Sequence, residues 1–146
     1  MLVMTTRFGR VEMRADDVLL FPNGLLGMEE CRHWVLLADA TNEALGWLQS
    51  LTQADLAFAV VSPRRFVPDY QLRVSRGELL PLALDDLSQA QVLVIVGKNE
   101  RGMTLNLRAP LVIHEERRVG RQVIANNDLS VQYELDQEPA RLRISA

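Results

Sequence analysis

The chain has 146 residues, of which 48% are hydrophobic and 24% charged, the composition of one folded domain with its own core. Its net charge of -3 argues against a general nucleic-acid binder, because such proteins displace counterions with a basic surface. Cys31 is the only cysteine, which excludes an intrachain disulfide and suits a reducing compartment. The sequence has neither a signal-peptide pattern nor the roughly 20 apolar residues of a membrane helix, so we expect a cytoplasmic protein without membrane contact.

The N-terminal half is predicted to contain short strands separated by turns. Strands are expected at residues 2–8, 11–13, 18–21, 33–37, 45–51 and 57–61. Pro22-Asn23-Gly24 is a strong turn signal, and residues 28–32 are expected to make one helical turn. Residues 57–61 are apolar throughout, which predicts a central strand buried on both faces.

The middle of the chain is less regular. A loop over residues 64–70, closed by Pro68-Asp69-Tyr70, leads into a weakly alternating stretch at 71–74. Residues 85–89 suit a short helix with Asp85 as its cap, because an aspartate side chain can accept from the first backbone N–H groups. Residues 92–96 form a second fully apolar strand.

Residues 103–125 are predicted to form a bent hairpin around which the fold is organised. Strands are expected at 104–107, 111–113 and 122–124. Pro110 interrupts the first arm because proline has no N–H to donate to a ladder. The charged residues 115–119 form the loop, and Gly120 is expected to supply the backbone freedom of the return turn.

The spacing of these strands predicts the fold class. Strands recur about every 8–12 residues with turn residues between them, a pattern typical of an antiparallel barrel or sandwich and not of a βαβ sheet. We therefore expect a mainly β, single-domain, antiparallel barrel-like fold with one or two short helices. Residues 1–135 make up the domain. Residues 136–146 are expected to be a tail, either disordered or a short edge strand.

The sequence contains no arrangement of residues that indicates catalysis, and we predict neither a metal nor a cofactor. His33 and His114 are far apart and belong to no metal-binding motif. Cys31 and His33, two residues apart on a strand, would point to opposite faces. Gly24 and Gly27 could cradle a phosphate, although a plain structural loop is the simpler interpretation.

Adjacent carboxylates recur along the chain, at Asp16-Asp17, Glu29-Glu30, Asp85-Asp86 and Glu115-Glu116. Neighbouring carboxylates are not by themselves an acid–base pair, which needs two environments that separate their pKa values. We interpret each pair as solvated surface. Their recurrence nevertheless favours an acidic face that would suit a basic partner.

Two loops carry apolar or aromatic residues that are candidates for partner binding. Phe66, Asp69 and Tyr70 form the first group, because tyrosine combines contact area with a polar group. The alternative is that this loop folds back onto the barrel. Phe21 and Leu25 form the second group, and they either staple their loop or provide a docking spot.

Several short motifs occur in an order that resembles the flagellar assembly factor FliW family. They are TRFG at 6–9, DVLLFPNGLLGMEE at 17–30, WLQS at 47–50, LAFAVVSP at 56–63, PDY at 68–70, TLNLRAPLVI at 104–113 and GRQVI at 120–124. Each motif is weak alone, but their order and spacing over residues 6–135 are specific. The family loop is usually FPEGIPGFE, and here Asn23, Leu25, Leu26 and Met28 depart from it.

The resemblance implies a small cytoplasmic, non-enzymatic, barrel-like domain that binds flagellin and the RNA-binding translational regulator CsrA. Bound FliW would prevent CsrA from repressing flagellin translation. On this view Phe66, Asp69 and Tyr70 face a partner, whereas Asn106 and Gln122 brace the hairpin. Replacing Asp69 by arginine and Tyr70 by alanine is then expected to weaken partner binding and leave folding intact. The alternatives are a small-molecule, flavin-like binding barrel and an OB-like nucleic-acid binder.

Overall fold

The computed structural model describes residues 1–135, and within them nearly all regular structure is short β-strand. The strands are β1 Leu2–Thr5, β2 Gly9–Glu12, β3 Val18–Leu20, β4 His33–Ala38, β5 Gly46–Ser50, β6 Ala57–Val61, β7 Gln91–Asn99, β8 Gly102–Leu105, β9 Leu111–His114, β10 Val119–Gln122 and β11 Tyr133–Glu134. One short helix, α1, spans Arg76–Leu79, and 3₁₀ turns occur at Ala15–Asp17, Pro63–Arg65, Leu80–Leu82 and Leu87–Gln89. No helix among the described residues is long and apolar enough to cross a membrane. The predicted tail lies outside the described residues, so the proposed domain boundary stays a prediction.

Seven strands close into a barrel in the order β7-β6-β5-β4-β3-β10-β9, with β9 returning to β7. The neighbours are antiparallel except for β3 and β10, which run parallel. Strand β7 belongs both to the barrel and to the extension formed by β8 and β11. Its first residues pair with β9, its middle with β6 and its last four with β8. Strands β8 and β11 extend beyond the barrel, and β1 and β2 form a separate hairpin. The predicted antiparallel barrel-like fold is confirmed, and the sandwich alternative is not.

The barrel interior is filled by one hydrophobic cluster drawn from strands on all sides. Alternate side chains of a barrel strand point inward, and these are Leu19, Trp34, Leu48, Val60, Leu93, Leu111 and Ile113. Two further clusters cover the outer face. One packs the β6–α1 connection and β8 onto Trp47, Val61 and Val94. The other packs the α1 region onto Val112 and Val123. Burial on both faces explains the continuous apolar runs in β6, β7 and β9. For β6 it confirms the predicted central strand.

Trp47 fixes the N-terminal hairpin to the barrel. The Phe8 ring meets it edge-on with the ring centroids 5.8 Å apart, and the Arg7 guanidinium lies 4.2 Å from its ring centroid. The indole N–H donates to Asp39 Oδ1 at 2.9 Å and holds the pKa of that carboxyl below its ordinary value. One side chain therefore ties the β1–β2 turn to the β4–β5 loop.

Two local predictions were wrong. Residues 28–32 form no helix: Met28 pairs with Leu25 in an isolated bridge, and Met28 O accepts from Cys31 N at 3.1 Å in a single turn. The cap of the 3₁₀ turn at 87–89 is Asp86 and not Asp85, since Asp86 Oδ1 accepts from the backbone N–H of Ser88 at 2.8 Å. The weakly alternating residues 71–74, for which no element was predicted, join no ladder. Asn127 binds their backbone instead, accepting from Arg73 N and donating to Gln71 O.

The hairpin around Gly120 also differs from its prediction. Its second arm is Val119–Gln122, and Gly120 lies within that strand opposite Ile113. The residue with a left-handed backbone is Arg118, at φ 54°. Gly120 is small because the Phe21 ring packs against it, and an added Cβ would lie 2.5 Å from Phe21 Cζ.

Two amides hold the Pro110 break in shape, as predicted for Asn106 and Gln122. Asn106 Oδ1 accepts from Ala109 N at 3.1 Å, and Gln122 Nε2 donates to Ala109 O at 3.0 Å. Gln122 Oε1 also accepts from Leu26 N at 2.9 Å, which ties the 22–30 loop to the same place. The bracing role of both residues is confirmed.

Candidate partner-binding site

The connection from β6 to α1 begins with two tight turns that the sequence favours. We call residues 62–70 the β6–α1 loop. Pro63 opens its 3₁₀ turn, where a fixed φ is helpful and the missing N–H costs nothing. Pro63 O then accepts from Phe66 N at 3.1 Å and from Val67 N at 2.8 Å, and Tyr70 N donates to Val67 O at 2.9 Å. These bonds fix the loop without help from a neighbouring strand.

Tyr70 anchors the end of this loop in the protein. Its side chain is 5% exposed and belongs to the cluster on the outer face of the barrel. Its hydroxyl donates to Leu107 O at 2.8 Å, and its carbonyl accepts from Arg64 Nε at 3.2 Å. Burial raises the pKa of Tyr70 to about 12. The loop therefore folds back onto the barrel at Tyr70, and the expectation that this ring is available to a partner was wrong.

The rest of the loop remains accessible. Asp69 is exposed, as are Arg64 and Arg65, whereas Phe66 is half-buried and packs against the same outer cluster. The loop thus presents charges of both signs beside part of an aromatic ring, on a backbone that the turns and Tyr70 hold in place. Phe66 and Asp69 thus lie on one loop with accessible surface, and Phe66 packs in the same cluster as the buried Tyr70.

Clefts lie along the β6–α1 loop, and its residues line the following three. One, of about 350 Å³, is lined by Asn42, Glu43, Ala44, Arg65 and Phe66. A second, of about 400 Å³, shares Glu43 and Arg65 and reaches Leu36, Val60 and Leu93. The third has a volume of about 660 Å³, and we call it the Arg73 cleft. Its lining includes Ser62, Arg64, Leu72, Arg73, Ser88 and Val92.

Phe21 and Leu25 do not belong to this surface. They are 0% and 1% exposed and lie in the barrel interior, because the loop after β3 turns inward. Gly24 permits that turn, with φ 62° and no room for a Cβ, which would lie 2.4 Å from Met28 O. Of the two interpretations of Phe21 and Leu25, the structure therefore supports stapling and contradicts a docking spot. The exposed large hydrophobic side chain of this loop is Leu26, at 55%.

The other sequence candidates lie apart from the loop. Cys31 is buried and its Sγ accepts from Gln53 Nε2 at 3.2 Å, while His33 is exposed. Within residues 1–135 no three potential metal ligands form a group. The Asp16-Asp17 and Glu115-Glu116 pairs lie in neighbouring turns, since Arg118 Nη2 donates to Asp17 O at 3.0 Å.

Sequence reasoning missed Arg73 and Ser88 as cleft residues. They come from separate irregular segments, and the course of the chain into β7 brings them to one cleft. No local pattern marks either residue.

Comparisons with known proteins agree with this fold. A family model described as FliW protein matches residues 2–135. A protein of Bdellovibrio bacteriovorus described as flagellar assembly factor FliW is 38% identical over 134 residues, covering 90% of this chain and 77% of that protein. One of Leptospira interrogans with the same description is 33% identical over 129 residues, covering 86% of each. A crystal structure of the flagellar assembly factor FliW superposes with a TM-score of 0.83 at 27% identity, covering 92% of this chain and 95% of that one.

Proposed function

This chain belongs to the FliW family of flagellar assembly factors, and from that premise we propose that it acts in the cytoplasm by binding two proteins. One is a CsrA-type RNA-binding regulator and the other is flagellin. While bound to this protein, the regulator no longer represses flagellin translation. Accumulating flagellin takes up the protein and releases the regulator. We propose no catalysis, no cofactor, no membrane contact and no direct contact with nucleic acid.

The match of almost the whole chain to the family carries this proposal. Charge supports it as well, because a protein of net charge -3 complements a regulator that handles RNA with a basic surface. The switch itself needs only mass action, since a ligand shifts a population according to its differential affinity for the two states. Two partners that compete for one limited pool then create a threshold without any chemical step.

We place the regulator contact at the exposed part of the β6–α1 loop, around Phe66 and Asp69. The turns that start at Pro63 and the Tyr70 anchor hold this part of the loop in one shape before binding. A loop ordered in advance loses less conformational entropy on association, which favours affinity. Asp69 supplies the negative charge that a basic partner requires.

The variant Asp69→Arg is expected to weaken binding of purified CsrA about tenfold or more, because it replaces an attractive charge at the interface by a repulsive one. Isothermal titration calorimetry measures the dissociation constant. Asp69 is exposed, so the melting temperature should stay that of the wild type. Asp55→Arg makes the same charge change in the exposed β5–β6 connection and is expected to bind normally. Equal affinity of both variants would reject the proposed surface, and a wild-type protein that binds neither CsrA nor flagellin would reject the function.

A further inference from the structure

We propose that the Arg73 cleft binds an extended, acidic segment of a partner protein. The cleft lies between the start of the β6–α1 loop, residues 70–73 and residues 87–92. Its volume of about 660 Å³ falls within the roughly 300–1,000 Å³ of clefts that bind ligands. The inference rests on the proposed function only in taking the chain to be a protein-binding domain.

The wall of the barrel opens at this cleft. The ladder between β6 and β7 ends at the pair Val61 and Val94, and after Ser62 the chain turns away into its 3₁₀ turn. The β7 residues 91–93 continue on, paired with β9. On the side where β6 would have continued, no strand of the described chain pairs with them, and Val92 lines the cleft there.

An open strand edge of this kind is the surface to which extended peptides add by backbone pairing. Residues 70–73 also line the cleft, and their backbone is already held in place. Asn127 Oδ1 accepts from Arg73 N at 2.9 Å, and Asn126 N donates to Arg73 O at 2.6 Å. An entering segment would therefore meet one strand edge and this fixed segment, with Leu72, Leu87 and Val92 as its apolar contacts.

The charge on the lining selects an acidic segment. Arg64 and Arg73 are both exposed and both line the cleft, whereas none of the residues that line it is a carboxylate. Arg64 Nε donates a hydrogen bond to Tyr70 O. Neither the Arg64 nor the Arg73 guanidinium forms an ion pair with a carboxylate among residues 1–135. The nearby Asp86 directs its carboxylate to the backbone and hydroxyl of Ser88.

Two guanidinium groups without carboxylate partners match carboxylates on a peptide, because arginine binds a carboxylate through two parallel hydrogen bonds. The hydroxyl of Ser62 adds a further donor at the rim. A protein that is acidic overall thus holds a basic cleft, which differs from the acidic surface that the recurring carboxylate pairs led us to expect.

Fluorescence anisotropy with labelled octapeptides tests this inference. The probe alternates aspartate and valine, and two matched controls replace aspartate by asparagine or by lysine. We expect the aspartate probe to bind about tenfold or more tightly than the asparagine control, because charge-assisted hydrogen bonds are the stronger ones. Raising the salt from about 50 mM to about 500 mM should weaken binding by screening.

Arg73→Gln, alone and with Arg64→Gln, is expected to remove that preference, whereas Arg10→Gln on the N-terminal hairpin should leave it unchanged. Arg64→Gln also removes the bond from Arg64 Nε to Tyr70 O. If the double variant therefore melts at a lower temperature, the single variant Arg73→Gln is the one that tests the inference. No binding of the aspartate probe, equal binding of the control peptides, or unchanged binding by the Arg73 variants would overturn the inference. The titration uses neither CsrA nor flagellin, so it fails or succeeds separately from the proposed function.

Discussion

Tyr70→Ala is expected to lower the free energy of unfolding by about 3–5 kcal/mol, the usual effect of truncating a buried aromatic side chain. The ring is 5% exposed and packs with Val61, Leu105 and Leu107 in the outer cluster. Its removal leaves a cavity and deprives Leu107 O of its donor at 2.8 Å. Urea unfolding followed by the fluorescence of the two buried tryptophans measures the change.

Tyr70→Phe is the matched control because it keeps the ring and removes only the hydroxyl. It should cost about 1 kcal/mol, the net contribution of one hydrogen bond. An alanine variant within about 1 kcal/mol of the wild type would contradict the structural role of Tyr70. The large expected effect also means that Tyr70→Ala cannot report on binding, so Asp69→Arg alone tests the loop surface.

The same side chain makes stability depend on alkaline pH. The pKa of Tyr70 is about 12 in the folded protein, whereas the ordinary value for a tyrosine, which applies to the unfolded chain, is 10.0. Below pH 10 both states keep the proton, and the contribution of Tyr70 is complete. Between pH 10 and about 12 only the unfolded chain releases the proton, so stability falls by about 1.4 kcal/mol per pH unit. Urea midpoints measured across this range should fall less steeply for Tyr70→Phe than for the wild type, and parallel curves would contradict the prediction.

Gly120→Ala is expected to destabilise the protein by about 1–3 kcal/mol through overpacking. The new Cβ would lie 2.5 Å from Phe21 Cζ and under 3 Å from two further ring carbons, inside the barrel. Phe21→Leu removes part of the ring, so the double variant should lose less stability than the sum of the two single changes. Thermal or urea unfolding of the four proteins provides the cycle.

Gly77→Ala is the control for Gly120→Ala. It lies in α1 with the nearest atom, Ser75 Oγ, 3.9 Å from an added Cβ, so alanine fits without a clash. Restricting the unfolded chain at a site that accepts alanine stabilises by about 0.4–1 kcal/mol. Similar losses at both glycines, or additive effects of Gly120→Ala and Phe21→Leu, would show that the Phe21 contact does not explain Gly120.

The strands could be predicted from sequence wherever one local pattern decided them. The apolar runs of β6, β7 and β9 needed no distant information, because burial on both faces is visible in their composition. Gly120 could not be understood locally, since its partner is a ring far earlier in the chain. A glycine after a charged loop indicated a turn, whereas the structure uses it to make room within a strand.

The candidate site was predictable only in part for a similar reason. Phe21 and Tyr70 stand in loop-like sequence, and aromatic residues in loops suggested exposure. Both side chains instead turn inward. Tyr70 does so because its hydroxyl bonds to Leu107 O, and Phe21 because Gly120 leaves space for its ring. The basic lining of the Arg73 cleft could not be predicted from the net charge of -3 either. That value is a sum over the whole sequence and does not show how charge is distributed over the surface.

The parallel pairing of β3 and β10 has a consequence for the newly made protein. Arg118 O accepts from Leu20 N, and the Arg118 side chain reaches Asp17 across a separation of 101 residues. A ribosome adds about 5–20 residues per second, so β3 waits roughly 5–20 s for its neighbour. During that interval the nascent sheet has a free edge, and only the final quarter of the described chain completes the ring.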